Sequence, residues 1–422
     1  MIETPSSFRQ SQHRAEESIS LSEVISALSY ALDLTEGSVR GHALRSCLVG
    51  MRIGQEIGLA PEQMGALYYA LLLKDVAGTN FASELDLIDA SRRSARAANI
   101  MRKLGMGELA AEAVRCVDER WDGGGIPDRL KGEGIPLLAR ICSVARHLDI
   151  FASIRGVHGA MDTVLERSGT WFDPSLVKTA RALDARGILW VHCQWGDDQP
   201  ETRWAVLGLD PGRREHLEAA EIDRVCEAFA DVVDAKSHYT FSHSMGVADA
   251  AEGIARRMGL APDRLQLVRR AALLHDIGKL SVSNTILDKV GSLNAREWRM
   301  VRQHPGYTRR ILERIAPFRE LAVIAGQHHE KLDGSGYPNQ LTARDLSLEA
   351  RIVAVADIYG ALSEDRPYRL GLEFDQIVPI MRDLAPLKLD GGCVEALVEI
   401  VTNHHKPVYT PAMASSMLYA VV

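Results

Sequence analysis

Seven side chains in the second half of this chain are of the kinds that hold divalent cations: His243, His275, Asp276, His304, His328, His329 and Asp357. Imidazole and carboxylate donors together suit borderline metals, with iron and manganese favoured and zinc compatible. Any one histidine near a helix end is most often a cap or a satisfied core group; five imidazoles and two carboxylic acids on successive helices are hard to bury without a metal. Adjacent helix residues point about 100° apart at ~3.6 residues per turn, so His275 can serve one cation while Asp276 bridges to a second. On that reading His243, His275, Asp276 and Asp357 hold one metal, and Asp276, His304, His328 and His329 the other. Two cations ~3.5–4 Å apart acidify a bridging water and neutralise charge on a phosphoryl group, which makes phosphodiester cleavage by an activated hydroxide the natural reaction. Asp276 is then catalytic. So is Lys279, three residues on and on the same face, where its ammonium can hold a nonbridging phosphate oxygen.

Helices must position these groups. Leu21, Val24, Ile25, Leu28 and Leu32 recur at a 3.6-residue period, Gly41–Leu59 is a second amphipathic stretch, and Pro61 opens a third in the position that favours a first-turn proline. Similar patterns run through almost the whole chain, which predicts an all-α protein. Its 422 residues are enough for two or three cores, and 46% hydrophobic with 25% charged residues is an ordinary globular composition. The net charge of -7, with both signs interspersed, leaves no footprint for a DNA or RNA duplex. Six scattered cysteines without a Cys-x-x-Cys pair indicate reduced thiols and a cytoplasmic setting. The apolar run Met64–Leu73 is too short for a bilayer and is expected as a core helix.

Internal repetition organises the chain. Pairing His42 with His243 also pairs Gly58-Leu59-Ala60-Pro61 with Gly259-Leu260-Ala261-Pro262, and Leu72-Leu73-Lys74-Asp75 with Leu273-Leu274-His275-Asp276, at a constant spacing of 201. Glu119 to Pro127 pairs with Glu330 to Pro338, and Ala139-Arg140-Ile141 with Ala350-Arg351-Ile352, at a spacing of 211. The chain is read as a tandem duplication: a polar leader over 1–20, a first copy over 21–189, a linker over 190–221, a second copy over 222–405 and a tail over 406–422. Within the linker, Ile188–Val191 and Trp204–Leu207 have β-favouring residues that could pair as a short hairpin. In the first copy only His42 and Asp75 keep the donor types. Lys74, Val117, Asp118 and Arg146 stand where the second copy has His275, His328, His329 and Asp357, so an ion pair to Asp75 is expected there in place of two metals. Packing on the catalytic copy, dimerisation, sensing a ligand or contact with a signalling partner are the roles left to it.

The second half resembles the HD-GYP family of metal-dependent phosphohydrolases. The matching elements are Tyr239-Thr240, His243-Ser244, His275-Asp276-Ile277-Gly278-Lys279, Leu287 with Lys289 and Gly291, His304-Pro305, His328-His329-Glu330, Asp333 to Pro338, Asp357 and Arg366-Pro367-Tyr368-Arg369. The resemblance implies tandem HD-domain bundles, a degenerate one followed by an intact one, and hydrolysis of cyclic di-GMP to pGpG or GMP. It also implies that Arg366 and Arg369 contact substrate phosphate or guanine, and that Tyr337, with Gly334 and Gly336, shapes the binding turn. Two positions depart from the pattern. Tyr239 stands where some members carry a glutamate for a third metal, which points to two, and Gly360 stands where an aspartate is common. Substrate choice is open on these grounds, because relatives also cleave cyclic GMP-AMP. A nonhydrolytic nucleotide receptor or adaptor is the rival reading, and the intact donor set argues against it.

Overall fold

The computed structural model describes residues 19–34, 40–76, 87–196, 199–210, 217–236, 243–289, 291–364 and 370–404. Residues 1–18 of the leader, the tail, Tyr239, Arg366 and Arg369 lie outside these residues. Two compact units divide at Ala228/Phe229. In the first, α1 (Leu21–Asp33), α2 (His42–Glu56), α3 (Pro61–Leu73), α4 (Leu87–Lys103), α5 (Gly107–Arg115), α6 (Leu137–Glu166), α7 (Pro174–Ala185) and α8 (Pro200–Leu207) are followed by α9 (Ala219–Asp234), which crosses the division. The second holds α10 (His243–Arg257), α11 (Pro262–Leu274), α12 (Asn284–Leu287), α13 (Ala295–Val301), α14 (His304–Leu312), α15 (Arg319–Ala325), α16 (Leu348–Ser363), α17 (Phe374–Leu384) and α18 (Gly391–His404). No strand occurs among the described residues, and no helix is long and apolar enough to cross a membrane. None of the six cysteines is in a disulfide.

The same local logic builds both units. In the first, α2 packs on α3 and α6; in the second, α10 packs on α11 and α16. The 3.6-residue stripe of α1 is buried at Val24, Ile25, Leu28 and Leu32, and the Met64–Leu73 run buries Leu67, Leu71, Leu72 and Leu73. Pro61 and Pro262 open α3 and α11 at matching positions. A buried aspartate at the end of one helix caps the next: Asp33 Oδ1 accepts from Ala43 N at 3.0 Å, and Asp234 accepts from Ser244 N at 3.1 Å and from Ser244 Oγ at 2.7 Å. These bonds satisfy amide groups that a helix start leaves open, at the first turn of the helices that begin with His42 and His243.

Two expectations are corrected. Ile188–Val191 forms turns and Trp204–Leu207 is the second half of α8, so the two do not pair as a hairpin. Pro200, with its fixed φ, opens α8, and the Thr202 hydroxyl donates to His192 O at 2.7 Å and accepts from Gln194 N at 3.0 Å; this context overrides β propensity. Around it, Arg52 donates to Leu189 O and Val191 O at 2.8 and 2.6 Å, which fastens this stretch to α2 of the first unit. Second, His275 and Asp276 do not lie inside one continuous helix. His275 caps α11, and Asp276 caps a 3₁₀ helix over Ile277–Ser281. The break follows from close packing: a Cβ on Gly278 would lie 2.0 Å from His304 O and 2.7 Å from Thr308 N. The Thr308 hydroxyl seals the junction, accepting from Gly278 N at 3.0 Å and donating to His275 O at 2.7 Å.

Replacing Gly278 with alanine forces α14 away from this turn and should destabilise the second unit by about 3 kcal/mol, the scale of overpacking a tight core; chemical denaturation of the full chain reads it. Burial pushes Asp33 up to about 6, against the opposing fields of His42 and Lys74. A raised carboxyl contributes its stability below the unfolded value near 4 and loses it as pH rises through 6. The stability difference between wild type and Asp33→Asn should therefore shift by roughly 2–3 kcal/mol toward the asparagine variant between pH 4 and 7.5. A pH-independent difference would contradict this.

Candidate metal centre

The histidines of the second unit are delivered by helix ends, and Asp357 by a helix interior. His243 begins α10, His275 caps α11, His304 begins α14, His328 and His329 follow α15, and Asp357 lies in α16. His243, His275, Asp276, His304, His328 and Asp357 are buried, whereas the His329 side chain is 27% exposed. Three of the imidazoles are oriented by the same device. Nδ1 of His275 donates to Ala272 O, that of His304 to Val301 O and that of His328 to Ala325 O, each at 2.6 Å and each to the carbonyl three residues back. With Nδ1–H spent on a carbonyl, Nε2 is the nitrogen that carries the inward lone pair whenever the ring is neutral. His243 is held differently, its Nδ1 donating to Glu364 Oε2 at 2.8 Å.

Asp276 lies at the centre. Its Oδ2 is 3.3 Å from His275 Nε2 and 3.9 Å from His243 Nε2, while its Oδ1 is 3.3 Å from His304 Nε2 and 3.6 Å from His328 Nε2. Asp357 also divides, with Oδ1 3.5 Å from His243 Nε2 and 3.6 Å from His275 Nε2, and Oδ2 3.7 Å from His329 Nδ1. All seven donors anticipated from sequence converge, and Asp357 faces His329 as well as the pair it was expected to join. Lys279 Nζ contacts Asp276 Oδ2, the 3₁₀ turn preserving the shared face expected of a helix.

The donor set fits divalent cations. His304 Nε2 and His328 Nε2 stand 3.1 Å apart, and with both Nδ1 atoms donating to carbonyls the two lone pairs of the neutral rings face each other, an arrangement that a shared cation, like a proton on one ring, relieves. His275 Nε2 and Asp276 Oδ1 are buried without a hydrogen-bond partner among the described residues. Three donor groups have ligand atoms close enough to share an ion: His304–His328–His329, His243–His275–Asp276 and His275–His328–Asp357. Electrostatics agree. Burial opposes charge on Asp276, yet His275 and Lys279 hold its carboxyl well below the usual range, and His243 and His275 do the same for Asp357. Burial likewise opposes charging His275, but the two carboxylates more than offset it and push the imidazole up to about 10. Positive charge is thus drawn to the space between these carboxylates.

The Gly-rich turn forms the rim. Tyr337 N donates to His329 O at 3.2 Å, its ring centroid is 4.7 Å from that of His329, and the Arg302 guanidinium lies 5.3 Å over it. Gly334 takes φ +78°, as a left-handed glycine does, but Gly336 is glycine for another reason: a Cβ there would lie 2.5 Å from Glu330 Cα. Glu330, buried, ties the turn by accepting from Asn339 N at 2.7 Å and Leu341 N at 2.9 Å, and Glu119 makes the matching bonds to Asp128 N and Leu130 N at 2.6 and 3.0 Å. Arg302, Glu364, Thr308 and Asp234 escape a reading based on donor type. Comparison of the copies, which did pair Glu119 with Glu330, could also have marked Asp234, because Asp33 occupies its place.

In the first unit the centre is filled by protein charge. Lys74 Nζ is 2.9 Å and Arg146 Nε 3.3 Å from the Asp75 carboxylate, as the sequence anticipates, with His42 Nε2 at 3.5 Å. Arg146 also reaches Asp118 at 2.6 Å, and Val117 is buried apolar where His328 stands in the other unit.

Comparison with known proteins agrees with this geometry. The HD-domain family profile matches residues 70–176 and 227–392. A Vibrio cholerae protein named 3'3'-cGAMP-specific phosphodiesterase 3 is 35% identical over 443 residues, covering 91% of this chain and 95% of the relative. A Pseudomonas aeruginosa cyclic di-GMP phosphodiesterase is 40% identical over 134 residues, 32% of each protein. Among solved structures, a cyclic GMP-AMP specific phosphodiesterase of V. cholerae matches with TM-score 0.65 and 34% identity over 91% of this chain and 98% of that one. Fold, donor set and full-length likeness coincide, and the chain belongs to the HD-domain family, in its HD-GYP phosphodiesterase branch.

Proposed function

We propose that the second unit hydrolyses a cyclic dinucleotide at a centre of two divalent cations, iron or manganese by donor chemistry, with zinc compatible. The observation that carries this reading is the split of Asp276, whose two oxygens face separate histidine pairs at 3.3–3.9 Å. His243, His275 and Asp357 would complete one side and His304, His328 and His329 the other. When bound, such cations acidify water and neutralise charge on a phosphoryl group.

The chain's own residues supply the rest. Three backbone carbonyls and Glu364 hold the inward-facing imidazoles in the ligand tautomer before any cation arrives, so little reorganisation is left for binding. Lys279 rests on Asp276 with 23% of its side chain exposed, placed to meet a nonbridging phosphate oxygen as that oxygen gains charge. Tyr337, lying over His329 with Arg302 behind it, offers a flat, positively backed wall at the rim. A nucleobase or ribose-phosphate edge would find both contact area and charge there. Arg366 and Arg369 extend this recognition by the family resemblance. The first unit, with its pocket closed by Lys74 and Arg146, serves as a partner or dimerisation module in a cytoplasmic signalling enzyme.

Cyclic di-GMP is the substrate that the motif set favours. A second reading, 3'3'-cyclic GMP-AMP, is favoured by a specific observation: the relative named for that substrate matches 91% of this chain, while the P. aeruginosa cyclic di-GMP enzyme matches 32%. Parallel assays on the two nucleotides should give linear products from at least one, and the ratio of kcat/KM values decides between them. Asp276→Ala should lose bound metal and at least about 10³-fold in kcat/KM; undiminished turnover by metal-free Asp276→Ala protein would end the hydrolase reading. Lys279→Ala should keep its metal and lower kcat by about 10²–10³-fold, the loss typical of one transition-state donor. A change in KM alone would move Lys279 to ground-state binding.

A further inference from the structure

The two copies hold their first histidine with carboxylates from different places. In the first unit His42 Nδ1 donates to Asp149 Oδ2 at 2.7 Å, in the middle of α6. The same carboxylate receives the buried Arg45, Nε to Oδ1 at 2.5 Å and Nη2 to Oδ2 at 3.0 Å. At the spacing of 211 that pairs Arg146 with Asp357, Asp149 pairs with Gly360, which carries no carboxylate, and Ser153 pairs with Glu364. At the spacing of 201 on the facing helix, Arg45 pairs with Gly246 and Ser46 with Val247. Four positions in contact have therefore changed together, from Arg-Ser-Asp-Ser to Gly-Val-Gly-Glu.

The exchange is sterically coherent. A Cβ on Gly360 would lie 3.0 Å from Val247 Cγ2 and 3.4 Å from His243 Nδ1, so the valine fills the room an aspartate needs. Ser46, smaller, leaves that room in the first unit, with Oγ 3.4 Å from His42 Nδ1. Glu364 caps α16 with its N–H still donating to Gly360 O at 3.1 Å, one helical turn on, so its side chain starts from the same side of the helix as one at 360. A Cβ on Gly246 would come within 4.0 Å of Glu364 Oε1, so the site of the lost arginine borders the new carboxylate. Glu364 Oε2 then meets His243 Nδ1 at 2.8 Å.

We infer that Glu364 is the positioning residue of His243, a carboxylate moved one turn on, to the C-cap of α16, from the place where the first copy keeps Asp149. It fixes the ring with Nδ1–H outward and the Nε2 lone pair toward Asp357 and Asp276, as backbone carbonyls do for His275, His304 and His328. Removal of Arg45 and Asp149 together matters as much as the gain. A bidentate guanidinium would hold its aspartate as a structural ion pair, whereas Glu364, 25% exposed, serves the imidazole from the rim.

This inference rests on the metal-centre reading for its effect on cation binding, and the test separates the two. The full chain is stripped of metal and titrated with Mn2+ and Zn2+ against a competing chelator, as wild type, Glu364→Ala, Glu364→Gln and the triple variant Val247→Ser/Gly360→Asp/Glu364→Ser. Glu364→Ala should bind about 10- to 100-fold more weakly, with the thermal midpoint of the metal-free protein unchanged. Glu364→Gln, whose amide oxygen still accepts from Nδ1, should lose less, and the triple variant should recover most of the affinity. Equal affinity in wild type and Glu364→Ala would overturn the assignment, as would a triple variant no better than Glu364→Ala. Wild type that takes up neither ion would remove the metal reading. In that event 15N spectra of His243 in the metal-free protein decide for Glu364: Nδ1 is protonated in wild type and averages between tautomers in Glu364→Ala, and unchanged spectra would refute its role.

Discussion

A buried carboxylate with nothing behind it but protein is the constraint on which this architecture turns. Asp276 sits in the core of the second unit, and Asp75 sits at the matching place in the first; both are held far below the usual carboxyl range despite burial. An ionised group in such surroundings needs opposite charge and hydrogen bonds at close range, because isolation there costs several kcal/mol. The first unit answers with Lys74 and Arg146, delivered by the residue before Asp75 and by α6. The second answers with imidazoles whose lone pairs converge without closing the charge balance, which leaves cations to complete it. One scaffold thus carries two solutions to the same electrostatic demand.

Helix ends make the second solution possible. A histidine at or just past a helix terminus finds a carbonyl three residues back within reach of Nδ1, and His275, His304 and His328 each use one at 2.6 Å. The tautomer is set by local geometry, at no cost to distant packing. His243 uses a side chain instead, its Nδ1 donating to Glu364 Oε2 at 2.8 Å. A side-chain partner can be exchanged by substitution where a backbone carbonyl cannot, and the first copy's His42 takes Asp149 in the same role.

Much of this was legible in the sequence. The helical periods placed α1 to α3 within a few residues, the repeat spacing exposed the duplication, and donor type singled out seven residues that do converge. What escaped depends on contacts distant in sequence. Residues 204–207 have β-favouring side chains, but Pro200 and the Thr202 hydrogen bonds decide for helix. The break between His275 and Asp276 is imposed by the approach of His304 O to Gly278, which no local pattern around Gly278 announces. Glu364 reads as a helix-end glutamate until α10 is laid against α16.

The duplication also separates scaffold from chemistry. Asp33 and Asp234, Glu119 and Glu330, and Pro61 and Pro262 perform the same structural tasks in both units, so these residues serve the fold whether or not a metal centre follows. The differing residues lie in a shell around the central aspartate, and they differ in groups. Lys74, Val117, Asp118 and Arg146 form one group against His275, His328, His329 and Asp357. A single histidine placed among the cations of the first unit would bring no metal and would leave a buried charge unmatched, so partial reversion is opposed on both counts. The electrostatics of one buried carboxylate therefore lock each copy into its state: the first closed by its own arginine and lysine, the second held open for cations.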